Sequence, residues 1–383
     1  MSIYLDNAAT SHPKPPEVYA AVLDAMQHIG ASPGRGSYGS ALGASRLLFE
    51  TREALAAFFN VADSSRIIFT RNATESLNVA VRGLLEPGDH VVTTSMEHNS
   101  LLRPLVMLQK DGVRLTIVSA DAEGLVDPEE IRRALRPDTR LVALTHVSNV
   151  TGGVQAVAEI AGVARSAGAL VLLDAAQSAG CLPIDMQALG IDLLAAPGHK
   201  GLLGPQGTGL LAVAPGVRLR PLLAGGTGSS SDQDQQPDQF PDGFEAGTHN
   251  LPGIAGLKAG IEFLTTAGVA LVGAREREHG NYLRERLTGL PGCHLYGPRD
   301  KARRLGIFSL TVDGFDPAAL AFVLDREYGI AVRAGLHCAP RAHRTIGTYP
   351  SGTLRISPGW FTTTEELDLC YTALATIIQK GHP

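Results

Sequence analysis

Between about residue 50 and residue 215 short apolar runs alternate with stretches of helical periodicity. The runs Ile67-Ile68-Phe69-Thr70, His90-Val91-Val92-Thr93-Thr94, Leu115-Thr116-Ile117-Val118, Leu141-Val142-Ala143-Leu144-Thr145, Leu170-Val171-Leu172-Leu173-Asp174 and Leu193-Leu194-Ala195-Ala196 read as buried strands. Helical patterns lie between them: Thr74 to Leu85, Asn99 to Gln109, one starting near Asp127-Pro128, and one through Ile160 and Val163 to Ala167. Strands alternating with helices in this way predict an α/β fold with a mostly parallel sheet covered on both faces. Gly209-Leu210-Leu211-Ala212-Val213 is expected to return antiparallel, and a long helix is expected from about Ile254 to Leu264. The Gly-, Ser-, Asp- and Gln-rich stretch from Gly225 to Asp242 reads as a surface loop or lid. Strands near 308–312 and 354–357 predict a smaller α+β unit at the C-terminal end.

At 383 residues the chain is long enough for two domains. A formal net charge of −5 and 19% charged residues give no basic excess for nucleic acid and no lysine-rich face for an anionic membrane. Asp6 and Asn7 interrupt the first apolar residues, so no signal pattern is read there, and a cytoplasmic location is expected. Cys181, Cys293, Cys338 and Cys370 are far apart with no C-x-x-C pair. That spacing argues against a metal site or a disulfide framework and leaves room for one reactive thiol.

Two residues stand where open α/β sheets bind ligands, just beyond the carboxyl ends of successive strands. Asp174 ends one run, and Lys200 follows the next in Pro197-Gly198-His199-Lys200. An acid and a lysine so placed suit pyridoxal phosphate: the lysine to form a Schiff base, the carboxylate to keep the ring nitrogen protonated. Asn72-Ala73-Thr74-Glu75 opens a helix, where amides and the Thr74 hydroxyl suit a phosphate group or serve only as a cap. Gln177 can donate a hydrogen bond to a phenolic oxygen, His199 can meet phosphate, and His98 either stacks on a planar ring or caps a helix. Cys338 lies in a loop bracketed by Gly335 and Pro340, with Arg333, His337 and Arg341 near enough in sequence to favour a thiolate. Arg355 and Arg35 are carboxylate-clamp candidates.

Taken in order, Tyr4-Leu5-Asp6-Asn7-Ala8-Ala9-Thr10, Ala73-Thr74-Glu75-Ser76-Leu77-Asn78, Met96-Glu97-His98-Asn99, Asp174-Ala175-Ala176-Gln177, Gly198-His199-Lys200, Phe244-Glu245-Ala246-Gly247-Thr248 and Arg333-Ala334-Gly335-Leu336-His337-Cys338-Ala339 resemble the class V aminotransferase family of fold-type I pyridoxal-phosphate enzymes. More narrowly, they resemble its group II cysteine desulfurases and selenocysteine lyases. The resemblance covers nearly the whole chain. It implies a seven-stranded sheet domain over residues 12–253 and a smaller α+β domain from residues 1–11 and 254–383 that carries the cysteine loop.

By that resemblance Lys200 is the Schiff-base lysine, His98 stacks on the cofactor, Asp174 pairs with the ring nitrogen and Gln177 with the phenolic oxygen. Ala73, Thr74 and His199 hold the phosphate, with Thr248 reaching in from a second subunit of a homodimer. Asn149 and Arg355 meet the substrate carboxylate, Arg35 staying a clamp candidate on its own, and Cys338 takes sulfur from L-cysteine, leaving L-alanine and a persulfide for an acceptor protein. Selenide release from L-selenocysteine, or a transaminase or C–S lyase reaction, are the neighbouring activities. Two positions depart from the family pattern. Pro197 replaces a Ser or Thr and brings neither hydroxyl nor amide donor, and Leu336 replaces a polar residue two positions before the cysteine.

Overall fold

The computed structural model describes residues 3–34, 36–229 and 232–381. Strand β1 is Ile3–Tyr4; the large sheet uses β2 (Ile67–Thr70), β3 (His90–Thr94), β4 (Arg114–Val118), β5 (Thr139–Thr145), β6 (Leu170–Asp174), β7 (Leu193–Pro197) and β8 (Gly209–Val213). Their spatial order is β2-β8-β7-β6-β5-β3-β4. From β7 to β4 every neighbour is parallel, while β8 runs antiparallel to both of its partners. Alternation decides the layering. Val171 and Leu173 of β6 join one apolar core and Leu172 the other; Leu194 and Ala196 of β7 oppose Leu193 and Ala195 in the same way.

The order contains a reversal. From β3 the chain moves outward to β4, then returns to place β5 on the opposite side of β3 and proceeds to β6 and β7. The carboxyl ends of β3 and β5 therefore diverge into a crevice, the topological switch point of the sheet. His98 follows β3, and Asn149 follows β5.

The second layer is an antiparallel sheet of β9 (Cys293–Tyr296), β10 (Phe308–Val312), β12 (Arg333–Gly335) and β13 (Thr353–Ile356), in the order β12-β13-β10-β9. Strand β11 (Ile330–Ala331) instead pairs in parallel with β1 at the other end of the chain. Leu5, Phe308, Leu310, Leu354 and Leu374 share its core. The expected division at residue 253/254 falls within one helix. Helix Leu251–Ala267, capped by the Asn250 side chain on the Gly253 amide at 3.1 Å, puts Ile254, Leu257, Ile261 and Leu264 into a core of the large sheet. Apolar faces at helical spacing go where they find a partner face, and this one finds helices Pro16–Asp24 and Gly39–Phe59. No single helix among the described residues is long and apolar enough to cross a membrane.

Candidate active site

Asp174 and Lys200 stand at the ends of adjacent central strands, Asp174 being in register with Ala195 of β7. Asp174 is buried, and one carboxyl oxygen accepts the Ala176 amide at 2.9 Å. The other makes no hydrogen bond among the described residues. Burial raises the Asp174 pKa, and the Ala176 amide and Lys200 oppose it. Burial also drives the Lys200 amine down to about 8; Asp174 resists, and Arg355 and Arg333 reinforce the fall. The Lys200 amine has no hydrogen bond or ion pair among the described residues.

Its backbone is held firmly. The His199 carbonyl accepts from Thr10 Oγ1 at 3.0 Å, the Ser11 amide at 3.1 Å and Lys14 Nζ at 2.8 Å, while the Lys200 carbonyl accepts Ser11 Oγ at 2.9 Å. Lys14 is itself driven to about 8 by burial. Sequence reading gave Ser11 and Lys14 no role. Gln177 Nε2 donates to the Ala8 carbonyl at 2.9 Å, which ties the same N-terminal segment to the end of β6.

His98 forms the far wall. It caps helix Asn99–Lys110, its Nδ1 accepting the Ser100 amide at 3.1 Å. Burial, then Lys200 and three arginines, push its pKa to about 4, so the ring is neutral near pH 7. The capping role is thus observed, and a neutral ring is compatible with the expected stacking. Its sequence neighbour Glu97 is fully buried; Thr94 Oγ1 donates to Oε1 at 2.5 Å and Oε2 has no partner among the described residues. Burial raises this carboxyl to about 8, so it is protonated at neutral pH. His146 is likewise buried, with Nδ1 unpartnered and a pKa pushed to about 4 by burial. Neither was singled out in the sequence.

The opposite side comes from the smaller layer. Arg355, 2% exposed, donates from Nη2 to Asp6 Oδ1 at 2.7 Å and from Nη1 to the Asn149 carbonyl at 3.1 Å, leaving Nε unpartnered. Asn149 in turn donates from Nδ2 to the His337 carbonyl at 2.7 Å. One chain of contacts thus joins the expected carboxylate clamp to the expected thiol. Cys338 is exposed, in a loop between β12 and helix Pro340–Thr345, as its bracketing residues predict. Its carbonyl accepts the Asn99 amide at 2.8 Å, bringing it against the helix that His98 caps. His337 does not add positive charge to the thiol, contrary to expectation. Burial, with Arg355, pushes its pKa to about 2, and the neutral ring bonds Thr353 Oγ1 at 3.1 Å.

Ala73 is buried and Thr74 exposed at the start of helix Ala73–Leu84, where the Asn72 side chain accepts the Glu75 amide at 3.0 Å. Thr248 is exposed and lines a cavity with Arg71, Glu75 and Thr208 that includes neither Lys200 nor Asp174. The segment bearing it is anchored by buried Glu245, which accepts from Arg52 Nη1 at 2.7 Å and the Phe69 amide at 2.5 Å and bonds His249 Nε2 at 2.6 Å. Arg35 lies outside the described residues.

A family model described as aminotransferase class-V matches residues 3–370. The chain belongs to that family. Among its class-V relatives, a probable cysteine desulfurase of Methanothermobacter thermautotrophicus is 40% identical, covering 99% of this chain and 95% of that protein. A cysteine desulfurase of an Enterobacter species is 33% identical over 98% of this chain and 93% of its own length. Among solved structures, the apo cysteine desulfurase of Thermococcus onnurineus NA1 superposes with a TM-score of 0.93 at 33% identity, covering 99% of this chain and 95% of that one. The class-V fold seen there is the fold-type I architecture that the motifs implied.

Proposed function

We propose that this class-V protein is a pyridoxal-phosphate-dependent cysteine desulfurase that converts L-cysteine to L-alanine and leaves a persulfide on Cys338. The observation that carries the reading is convergence. A buried acid with one oxygen unbonded and an amine without a partner among the described residues face a crevice, and contacts through Arg355, Asn149 and His337 connect that crevice to an exposed thiol. This donor set fits the cofactor: Asp174 for a ring nitrogen, a neutral His98 face for the ring, Gln177 for the phenolic oxygen. Ala73, Thr74 and His199 would take the phosphate, aided by Thr248 of a second copy. His199 Nδ1 is buried without a partner, as a group awaiting a ligand would be. When bound, pyridoxal phosphate supplies an aldehyde that exchanges amines and a ring that accepts the electron pair left at Cα.

The chain's own residues do the rest. Arg355 and Asn149 hold the substrate carboxylate. The Lys200 amine, held at about 8, is poised to take the Cα proton near neutral pH. The Cys338 thiolate attacks the substrate sulfur: an S–S bond forms, the C–S bond breaks, and its electron pair passes to the carbon skeleton. Proton return then completes L-alanine. Homodimer formation is supported by exposed apolar residues Tyr19, Leu23, Met26, Leu42 and Phe49 on helices Pro16–Asp24 and Gly39–Phe59 and the π-helical turn Ala25–Ile29. The exposure of Cys338 suits hand-over of the persulfide to an acceptor protein in the cytoplasm.

The test is alanine release from L-cysteine and from L-selenocysteine, with reductant, by wild type and Cys338→Ala. Wild type should release alanine from L-cysteine, and the variant should lose at least about a hundredfold of that rate. A variant that keeps its L-cysteine rate would remove Cys338 from the mechanism. Strong selenocysteine preference, with activity retained in the variant, would make the protein a selenocysteine lyase.

A further inference from the structure

Cys338 sits in a backbone conformation that its neighbours must enforce. His337 and Cys338 have φ of 46° and 57°, two consecutive non-glycine residues in the left-handed region. Each costs energy through the contact of Cβ with the carbonyl oxygen, and such residues persist where surrounding bonds over-determine them. Three bonds to other elements do so here. The Asn149 side chain holds the His337 carbonyl at 2.7 Å, the Asn99 amide holds the Cys338 carbonyl at 2.8 Å, and Thr353 holds the His337 ring at 3.1 Å. Within the loop, the Ala339 amide closes a turn on the Leu336 carbonyl at 2.8 Å.

Asn149 differs from the other two anchors because its backbone carbonyl is bound by Arg355 at 3.1 Å. Asn149 is 8% exposed, and its side-chain amide carries two hydrogens, one of them committed to His337. The second remains for a carboxylate brought in by Arg355. We propose that Asn149 is a positioning residue for the thiol: one amide holds the Cys338 loop in its left-handed form and receives the substrate, so that it sets the distance from bound carboxylate to attacking sulfur. This rests on Cys338 being the sulfur acceptor, as proposed above.

The two roles separate cleanly in enzyme without substrate. A residue serving only the carboxylate would leave the empty loop unchanged; a clamp would not. The experiment is hydrogen–deuterium exchange of the 336–340 peptide in the full-length holoenzyme, without substrate, for wild type, Asn149→Ala and Asn149→Asp. Asn149→Asp keeps the side-chain size but cannot donate to a carbonyl. Loss of one buried hydrogen bond should speed exchange of the Ala339 amide by about three- to tenfold in both variants. Iodoacetamide labelling of Cys338 should change by a similar factor while helix Leu251–Ala267 exchanges as in wild type. Unchanged exchange in a folded variant overturns the proposal. Should neither variant fold, wild type decides: protection of the Ala339 amide supports the clamp, and exchange at the rate of a free loop overturns it. Neither readout needs turnover, so failure of the clamp is distinct from failure of the desulfurase reading, which Cys338→Ala decides.

Discussion

Lys200 follows an interior strand of the seven-stranded sheet; Cys338 follows β12, an edge strand of the four-stranded one. Around Lys200 the main-chain carbonyls are held several times over, by Thr10, Ser11 and Lys14, and the residue itself is not among those with positive φ. Around Cys338 the backbone is left-handed and a few single bonds hold it. In the proposed mechanism the amine exchanges protons with a fixed carbon, so redundancy serves it. In the same proposal the thiol reaches a substrate atom and then surrenders what it took, so a strained and exposed loop serves it better. A site of this kind places its chemistry on two foundations of unequal stiffness.

That contrast can be broken at its strongest point first. Lys200→Ala should lower alanine release by at least about a thousandfold, since it removes the amine proposed to move the Cα proton. If the variant turns over at the wild-type rate, the stiff side of the site is not where the chemistry happens. A smaller effect concerns the amine's charge. In cofactor-free protein, acylation of Lys200 followed by mass spectrometry should rise with pH and be half-maximal near 8, because burial disfavours the ammonium. Asp174 favours the ammonium, so Asp174→Asn should move that midpoint lower still.

Glu97 tests whether the stiff side carries a hidden proton. Its folded pKa of about 8 lies above that of an unfolded carboxyl, so between these values the folded state binds the extra proton and stability falls as pH rises. The slope from this one group is at most about 1.4 kcal/mol per pH unit. Glu97→Gln should flatten the decline of the melting temperature between pH 5 and 8; an unchanged slope would place the proton elsewhere. Smallest of all should be Ser11→Ala. The carbonyls it serves keep other donors at His199, so alanine release should drop by no more than about threefold, less than the loss expected for Asn149→Ala. Equal losses would erase the distinction between the two halves.

Much of the stiff half was legible because it obeys local periodicity. Apolar runs marked the strands, and Asp174 and Lys200 fell at their ends. His98 followed from its place after β3. The Cys338 loop was legible from Gly335 and Pro340. What escaped depends on meetings between distant segments: Lys14 with His199 and Asn149 with His337. No spacing encodes these. The charge expected of His337 failed for the same reason, since burial is a property of the packed molecule. Helix Leu251–Ala267 was read correctly as a helix, but its apolar residues suit either core, and only packing chose the larger.

The N-terminal segment has a consequence for how the protein is made. Asp6 bonds Arg355 across 349 residues, and the Ser357 carbonyl takes the Asn7 amide beside it. Synthesis proceeds from the N-terminus, so Asp6 and Asn7 wait for Arg355 and Ser357, about 349 residues later, before their partners exist. The large sheet can assemble meanwhile, since its strands end at Val213. During that interval the Lys200 turn would lie open, with its clamp unanchored at one end. Competence therefore arrives late and at once, when β13 emerges and the Asp6–Asn7 segment meets Arg355 and Ser357 over the crevice.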